Sequence, residues 1–185
     1  MHRQSILHSL DKYEAVYPSE RTITDRIRTL VTQHTDCFER TCLPGHITGS
    51  AWIVSHDLSQ YLLTHHRKLD RWLQLGGHAD GHHEPYQVAI REAVEESGLT
   101  GFTLYKSENS IIPLDIDVHL IPTRGSEPAH EHHDIRYLLI APANQVVKVS
   151  DESHDVRWFT REEFLRITGE MSLLRMLYKG EQILK

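Results

Sequence analysis

Apolar residues recur at three- and four-residue steps after Pro18. There Ile23, Ile27, Leu30, Val31, His34 and Phe38 fall on one face of a predicted helix. Ser19 stands where an N-cap belongs. A weaker helical pattern covers residues 4–15, and residues 41–49, with Pro44, Gly45 and Gly49, read as a loop. The boundary between a helical N-terminal extension (1–45) and the main domain (46–185) is placed in that loop. The pattern then becomes strand-like. Residues 51–55 and 61–64 flank the turn His56-Asp57-Leu58-Ser59 and predict a hairpin. Residues 72–75 are a third strand, ended by Gly76-Gly77. A helix is predicted over 86–97, with Gly98 suited to the position just past its end. Strand-like runs follow at 102–105, 116–121, 135–141 and 156–159. Thr160 with Glu163 forms a capping box, and 170–178 is the last helix. Strands broken by one central helix and closed by terminal helices predict a mixed α/β sandwich.

Composition narrows the function. The net charge of −6 argues against binding to nucleic-acid polymers or anionic membranes, which need a basic surface. No run approaches the ~18 apolar residues of a membrane span. The first ten residues lack a basic region followed by an apolar core, so they do not read as a secretory signal and a cytoplasmic location is expected. Cys37 and Cys42 are too few for a disulfide framework, although with His34 and His46 their spacing is compact enough for zinc. The unusual number is 15 histidines, grouped at His65/His66, at His78/His82/His83 and at His130/His132/His133.

The chemistry concentrates in residues 76–99, GGHADGHHEPYQVAIREAVEESGL. At 100° per residue Glu92, Glu95 and Glu96 share an arc with Val88, while Tyr86, Ile90, Ala93, Val94 and Ser97 cover the opposite, apolar arc. On an exposed helix each like-charged pair costs only about 0.2–0.5 kcal/mol. In a cleft a hard divalent cation would relieve the repulsion. Gly76, Gly77 and Gly81 let the preceding loop curl toward those carboxylates, where backbone N–H groups can meet phosphate oxygens.

This stretch resembles the Nudix box, G-x5-E-x7-R-E-U-x-E-E-x-G-U with U apolar. Gly77 matches its first position, and Arg91, Glu92, Ala93, Glu95, Glu96, Gly98 and Leu99 match its second half. The resemblance covers 23 residues, and the surrounding order of elements extends it over roughly 46–180; the earlier helices lie outside it. It implies an α/β/α sandwich with a mixed sheet. It also implies a pyrophosphohydrolase that uses Mg2+ or Mn2+ to cleave a phosphoanhydride in a nucleoside diphosphate linked to another moiety. Glu92, Glu95 and Glu96 would ligate the metal, with Glu92 and Glu96 in the catalytic set and Arg91 fixing the helix. Gly76, Gly77 and His78 would line the substrate. The chain departs from the pattern at the first glutamate, where His83 stands and Glu84 comes one place late; His83 is therefore a further candidate ligand.

Further expectations complete the reading. Alternation sends Asp134, Arg136 and Leu138 to one side of a strand, where Arg136 could hold a phosphate if that side faces the cleft; His130, His132 and His133 precede that strand, where they either help bind a metal or a base or form an exposed loop. Glu152 and His154 fall in a polar loop within reach of the site. Two other readings stay open beside the hydrolase: a non-catalytic nucleotide-binding module, and a hydrolase whose metal sits on histidines. The expected partner is a small nucleotide-like substrate, and a homodimer through the N-terminal helices is a further possibility.

Overall fold

The computed structural model describes residues 2–125, 127–151 and 153–185; the expectation for Glu152 falls outside these. Two helices come first, α1 (Gln4–Val16) and α2 (Arg21–Gln33), separated by a 3-10 turn at Pro18–Glu20. That turn takes up Ser19, so Glu20 is the residue at the N-cap of α2, without a side-chain cap. Helix α2 stops at Gln33, and His34 is already extended.

Strands β1 (Gly45–Val54), β2 (Gln60–His66), β3 (Arg71–Leu73) and β4 (Leu75–His78) precede α3 (Pro85–Ser97). After it come β5 (Thr103–Leu104), β6 (Asp115–Ile121), β7 (His130–Ile140), β8 (Ser153–Thr160), α4 (Arg161–Ile167) and α5 (Met171–Ile183). Among the described residues the strands form one mixed sheet of eight. Its centre is the parallel pair β1–β7, in register from Gly45 opposite Glu131 to Val54 opposite Ile140. The other side of β1 pairs with β4 and then β2, and β6 lies antiparallel on β7.

Strand alternation divides the core into two layers. On one face Ile47, Ala51, Ile53, Ile135, Tyr137 and Leu139 pack with Val88, Ala89 and Ala93 of α3 and with Ile6, Leu10, Ile27, Leu30 and Val31 of the first two helices. On the other face Trp52, Val54, Leu63 and Leu138 pack with Phe164 of α4 and with Leu173, Met176 and Leu177 of α5. Each fully buried large side chain of this kind stabilises by about 1.5–3 kcal/mol. The result is the expected α/β/α sandwich, with the N-terminal helices sharing the core of the α3 layer.

Two corrections concern strands. Residues 45–49 belong to β1, not to a loop, and Gly49 is there because α3 crosses it closely: a Cβ would stand 2.5 Å from the Pro85 carbonyl. Gly76 and Gly77 lie inside β4, not at the end of a strand. The capping box holds, with the Thr160 side chain accepting from the Glu163 N–H and the Glu163 carboxylate accepting from Thr160. Gly98 is left-handed, φ 68°, as the end of α3 requires.

Candidate functional site

The site grows from the crossing of α3 over β1 and β4. Pro85, Val88, Ala89, Ala93 and Ser97 form the buried stripe of α3. Val88 is buried although it shares the glutamate arc, because that arc borders the sheet instead of facing away from it. One turn on from Val88, Glu92 lies against Gly77, where an added Cβ would stand 2.5 Å from its carboxyl carbon. One turn further, Glu96 Oε1 accepts from the Gly76 N–H at 2.9 Å. A Cβ on Gly76 would meet Ser50 Cα and Cβ at 2.8 Å. The glycine pair of β4 is thus the surface on which two carboxylates rest.

Arg91 donates to the His78 carbonyl at 2.7 Å and to Glu92 Oε1 at 2.6 Å, tying helix to strand. Glu95 lies 4.0 Å from Arg91 Nε, with its side chain 61% exposed. The structure therefore brings Gly76, Gly77, His78, Arg91, Glu92 and Glu96 together, with Glu95 at the rim.

His83 and Glu84 turn elsewhere. The His83 ring lies 4.6 Å from that of His2 and 5.2 Å from that of Phe38, and Glu84 accepts from Ser5 Oγ at 2.7 Å. The loop before α3 is held by the N-terminal part of the chain at two more points: the Gly81 N–H donates to the Phe38 carbonyl, and Arg40 pairs with Asp80.

Arg136 is also apart from the glutamates. It is 2% exposed and donates to Asp134 at 2.8 Å and Asp115 at 3.1 Å, with Asp117 at 3.3 Å. The alternation of Asp134, Arg136 and Leu138 is as expected, but the side they share is interior. Arg175 and Lys179 of α5 add their charges to Asp115, each at 2.7 Å. Burial by itself would raise the Asp117 carboxyl; the hydrogen bond with His119 and the cations Arg136 and Arg175 outweigh it and hold the group far below the carboxylate range.

His130, His132 and His133 lie within β7, contrary to the loop expectation, and His130 and His133 are each 3% exposed. Two sets of three metal-ligating groups converge within 4.8 Å among the described residues: His46 with His130 and His132, and His34 with Asp36 and Cys42. Neither includes the α3 glutamates. Of the compact set His34, Cys37, Cys42 and His46, only His34 and Cys42 fall in one converging group; His46, in β1, falls in the other, and Cys37 in neither. Burial drives both thiols up, Cys37 to about 11 and Cys42 to about 12.

Comparisons with known proteins give the family and the fold. Residues 46–179 match the family model described as the NUDIX domain. The chain is similar to a NUDIX-family hydrolase from Clostridium perfringens, at 24% identity over 76% of this chain and 98% of that one, with a TM-score of 0.58. It is similar to a C. elegans Ap4A hydrolase in a binary complex, at 20% identity over 75% and 96%, with a TM-score of 0.59. It is also similar to the E. coli dihydroneopterin triphosphate pyrophosphohydrolase, at 16% identity over 70% and 91%, with a TM-score of 0.54. No curated protein matches. These structural likenesses establish the fold. No helix among the described residues is long and apolar enough to cross a membrane.

Proposed function

This chain belongs to the NUDIX domain family, and from that premise we propose that it is a Nudix-type pyrophosphohydrolase that cleaves a phosphoanhydride bond in a nucleoside diphosphate linked to a second moiety, with Mg2+ or Mn2+ as cofactor. The observation that carries this reading is the pair of carboxylates, Glu92 and Glu96, laid against the two glycines of β4.

The donor set fits the cofactor. Glu92, Glu95 and Glu96 offer hard oxygens, the ligands Mg2+ and Mn2+ prefer. Gly77 leaves open the space beside Glu92 that a Cβ would fill. When bound, such an ion neutralises phosphate charge and makes water more acidic. The protein does the rest. Glu92 orients the attacking water or accepts its proton. Arg91, anchored on the His78 carbonyl, fixes the Glu92 carboxylate and holds the turn of α3 to β4. The backbone around Gly76, Gly77 and His78 lines the phosphate chain.

The two glycines separate stability from catalysis. Gly76→Ala drives its methyl group into the Ser50 backbone, which cannot yield, and is expected to cost about 1–3 kcal/mol in a thermal melt. Gly77→Ala meets only the far end of the flexible Glu92 side chain, so its melting temperature should stay near wild type while turnover falls with the displaced carboxylate. Full turnover in Gly77→Ala would argue against the role given to Glu92.

The substrate is found by assay. The names of similar proteins point to Ap4A and dihydroneopterin triphosphate, and a NUDIX domain of Shewanella oneidensis NrtR was solved with ADP ribose. Full-length protein with these compounds, nucleotide sugars and nucleoside triphosphates, with Mg2+ and separately with Mn2+, is expected to release product from at least one diphosphate-linked nucleotide. Chelation should abolish that release. No product from any compound with either ion would overturn the proposal.

A further inference from the structure

On the sheet face opposite α3, imidazoles gather at the end nearest the start of β1. His46 is opposite His132, His132 is opposite His119, and His78 is opposite Thr48, so alternation sends all four side chains to that face. His130, two residues before His132, follows them. The His46 ring centroid is 4.9 Å from those of His130 and His132 and 5.1 Å from that of His78. His46 is 1% exposed and His130 is 3% exposed.

His46 and His130 are buried, His132 and His78 partly so, and several of the ring nitrogens of the first three lack a hydrogen-bond partner. Among the described residues neither ring nitrogen of His46 completes a well-formed hydrogen bond, although the Cys42 backbone interacts with the ring, and Nε2 of His130 and Nε2 of His132 have no hydrogen-bond partner. Buried polar atoms are ordinarily satisfied, so several orphans in one cluster call for an explanation. His130 shows what they are arranged for. Its Nδ1 lies 2.9 Å from the Pro128 carbonyl, which can only accept, so in the neutral ring the proton sits on Nδ1 and the lone pair on Nε2, 3.8 Å from Glu127 Oε1. A backbone carbonyl fixing the tautomer of a histidine whose other nitrogen is free is the usual support of a metal-binding imidazole.

We propose that His46, His130 and His132 form a binding site for a divalent transition-metal ion of the zinc class, with His78 beside it as a fourth imidazole. The ligand atoms of the three already lie within 4.8 Å of one another. Neutral nitrogen donors suit Zn2+, Co2+, Ni2+ or Cu2+ and not Mg2+, which prefers oxygen.

The site is chemically distinct from the α3 carboxylates but physically tied to them. The His78 ring touches those of His46 and His132, while its carbonyl receives Arg91, which holds Glu92. An ion on the imidazoles braces β4 from the side opposite the glutamates.

The test uses full-length protein without a histidine tag, stripped with a chelator and titrated with Zn2+. One equivalent is expected to bind, with a rise in melting temperature that Mg2+ at the same concentration does not give. Co2+ in place of Zn2+ should show visible bands of nitrogen ligation and no thiolate-to-metal charge-transfer band, which separates this site from His34, Asp36 and Cys42. His46→Gln and His132→Gln are each expected to weaken Zn2+ binding by at least about 100-fold, while Glu96→Gln leaves it unchanged. No stoichiometric Zn2+ binding, equal binding by wild type and the histidine variants, or a thiolate band would overturn the proposal. Should the variants fail to fold, the Zn2+ titration and Co2+ spectrum of the wild type decide alone. Failure of the hydrolase reading would show separately, as absent Mg2+- or Mn2+-dependent turnover with Zn2+ binding intact.

Discussion

Glu96→Gln is expected to lower turnover by roughly 10²–10⁴-fold, the range that follows loss of an essential acid–base or metal-holding group, while the fold persists. The amide oxygen of glutamine can still accept the Gly76 N–H that Glu96 Oε1 accepts at 2.9 Å. The strand-to-helix contact therefore survives, and the melting temperature should move by no more than about 2–4 °C, the equivalent of roughly 1 kcal/mol in a chain of this size. What disappears is the negative charge, which a neutral amide does not replace at a divalent ion. Steady-state kinetics on the best substrate and a melting curve on the same preparation give both numbers. Turnover within tenfold of wild type would remove the α3 carboxylates from the mechanism.

The largest expected loss of stability belongs to Asp115→Asn. Asp115 is fully buried, and Arg175, Lys179 and Arg136 all donate to it, at 2.7, 2.7 and 3.1 Å. Arg136 and Lys179 have side chains only 3% and 9% exposed, so neither can turn to water when the carboxylate is removed. The amide nitrogen would also point a donor at donors. Each cation keeps a second carboxylate, Arg136 with Asp134, Arg175 with Asp117 and Lys179 with Glu20, so the loss is of charge-assisted hydrogen bonds at a buried centre and costs about 3 kcal/mol, which corresponds to a fall in melting temperature of roughly 6–12 °C. Arg166→Ala is the contrast: its ion pair with Glu162 spans 3.8 Å with both side chains more than 70% exposed, and should contribute about 0–1 kcal/mol. A melting temperature for Asp115→Asn within 2 °C of wild type would mean that the network carries little of the stability.

Local signals were legible in the chain. Helix α3, its left-handed glycine, the hairpin of β1 and β2 and the capping box at Thr160 depend on neighbours within a few residues, and the structure has all four. Glu92 and Glu96 were legible through the box motif. Their partners were not, because Gly76 and Gly77 acquire meaning from register against Ser50 and Gly49 of a distant strand. The histidines of β7 were read as a loop because a run of polar residues resembles one. Tertiary pairing overrides that impression. The signal that could have found them is the two-residue step of His130, His132, Asp134 and Arg136, echoed by Asp115, Asp117 and His119 in the neighbouring strand. The direction taken by His83 was not legible either, since it follows from contact with His2 and Phe38 outside the motif.

The parallel pair at the centre of the sheet has a kinetic consequence. Thr48 and Asp134 meet across a gap of 86 residues. Closing so long a loop costs entropy before any contact repays it. High contact order of this kind slows folding. Refolding is therefore set by how fast the two halves of the chain find each other, and it leaves the edges of β1 and β7 exposed to other chains in the meantime.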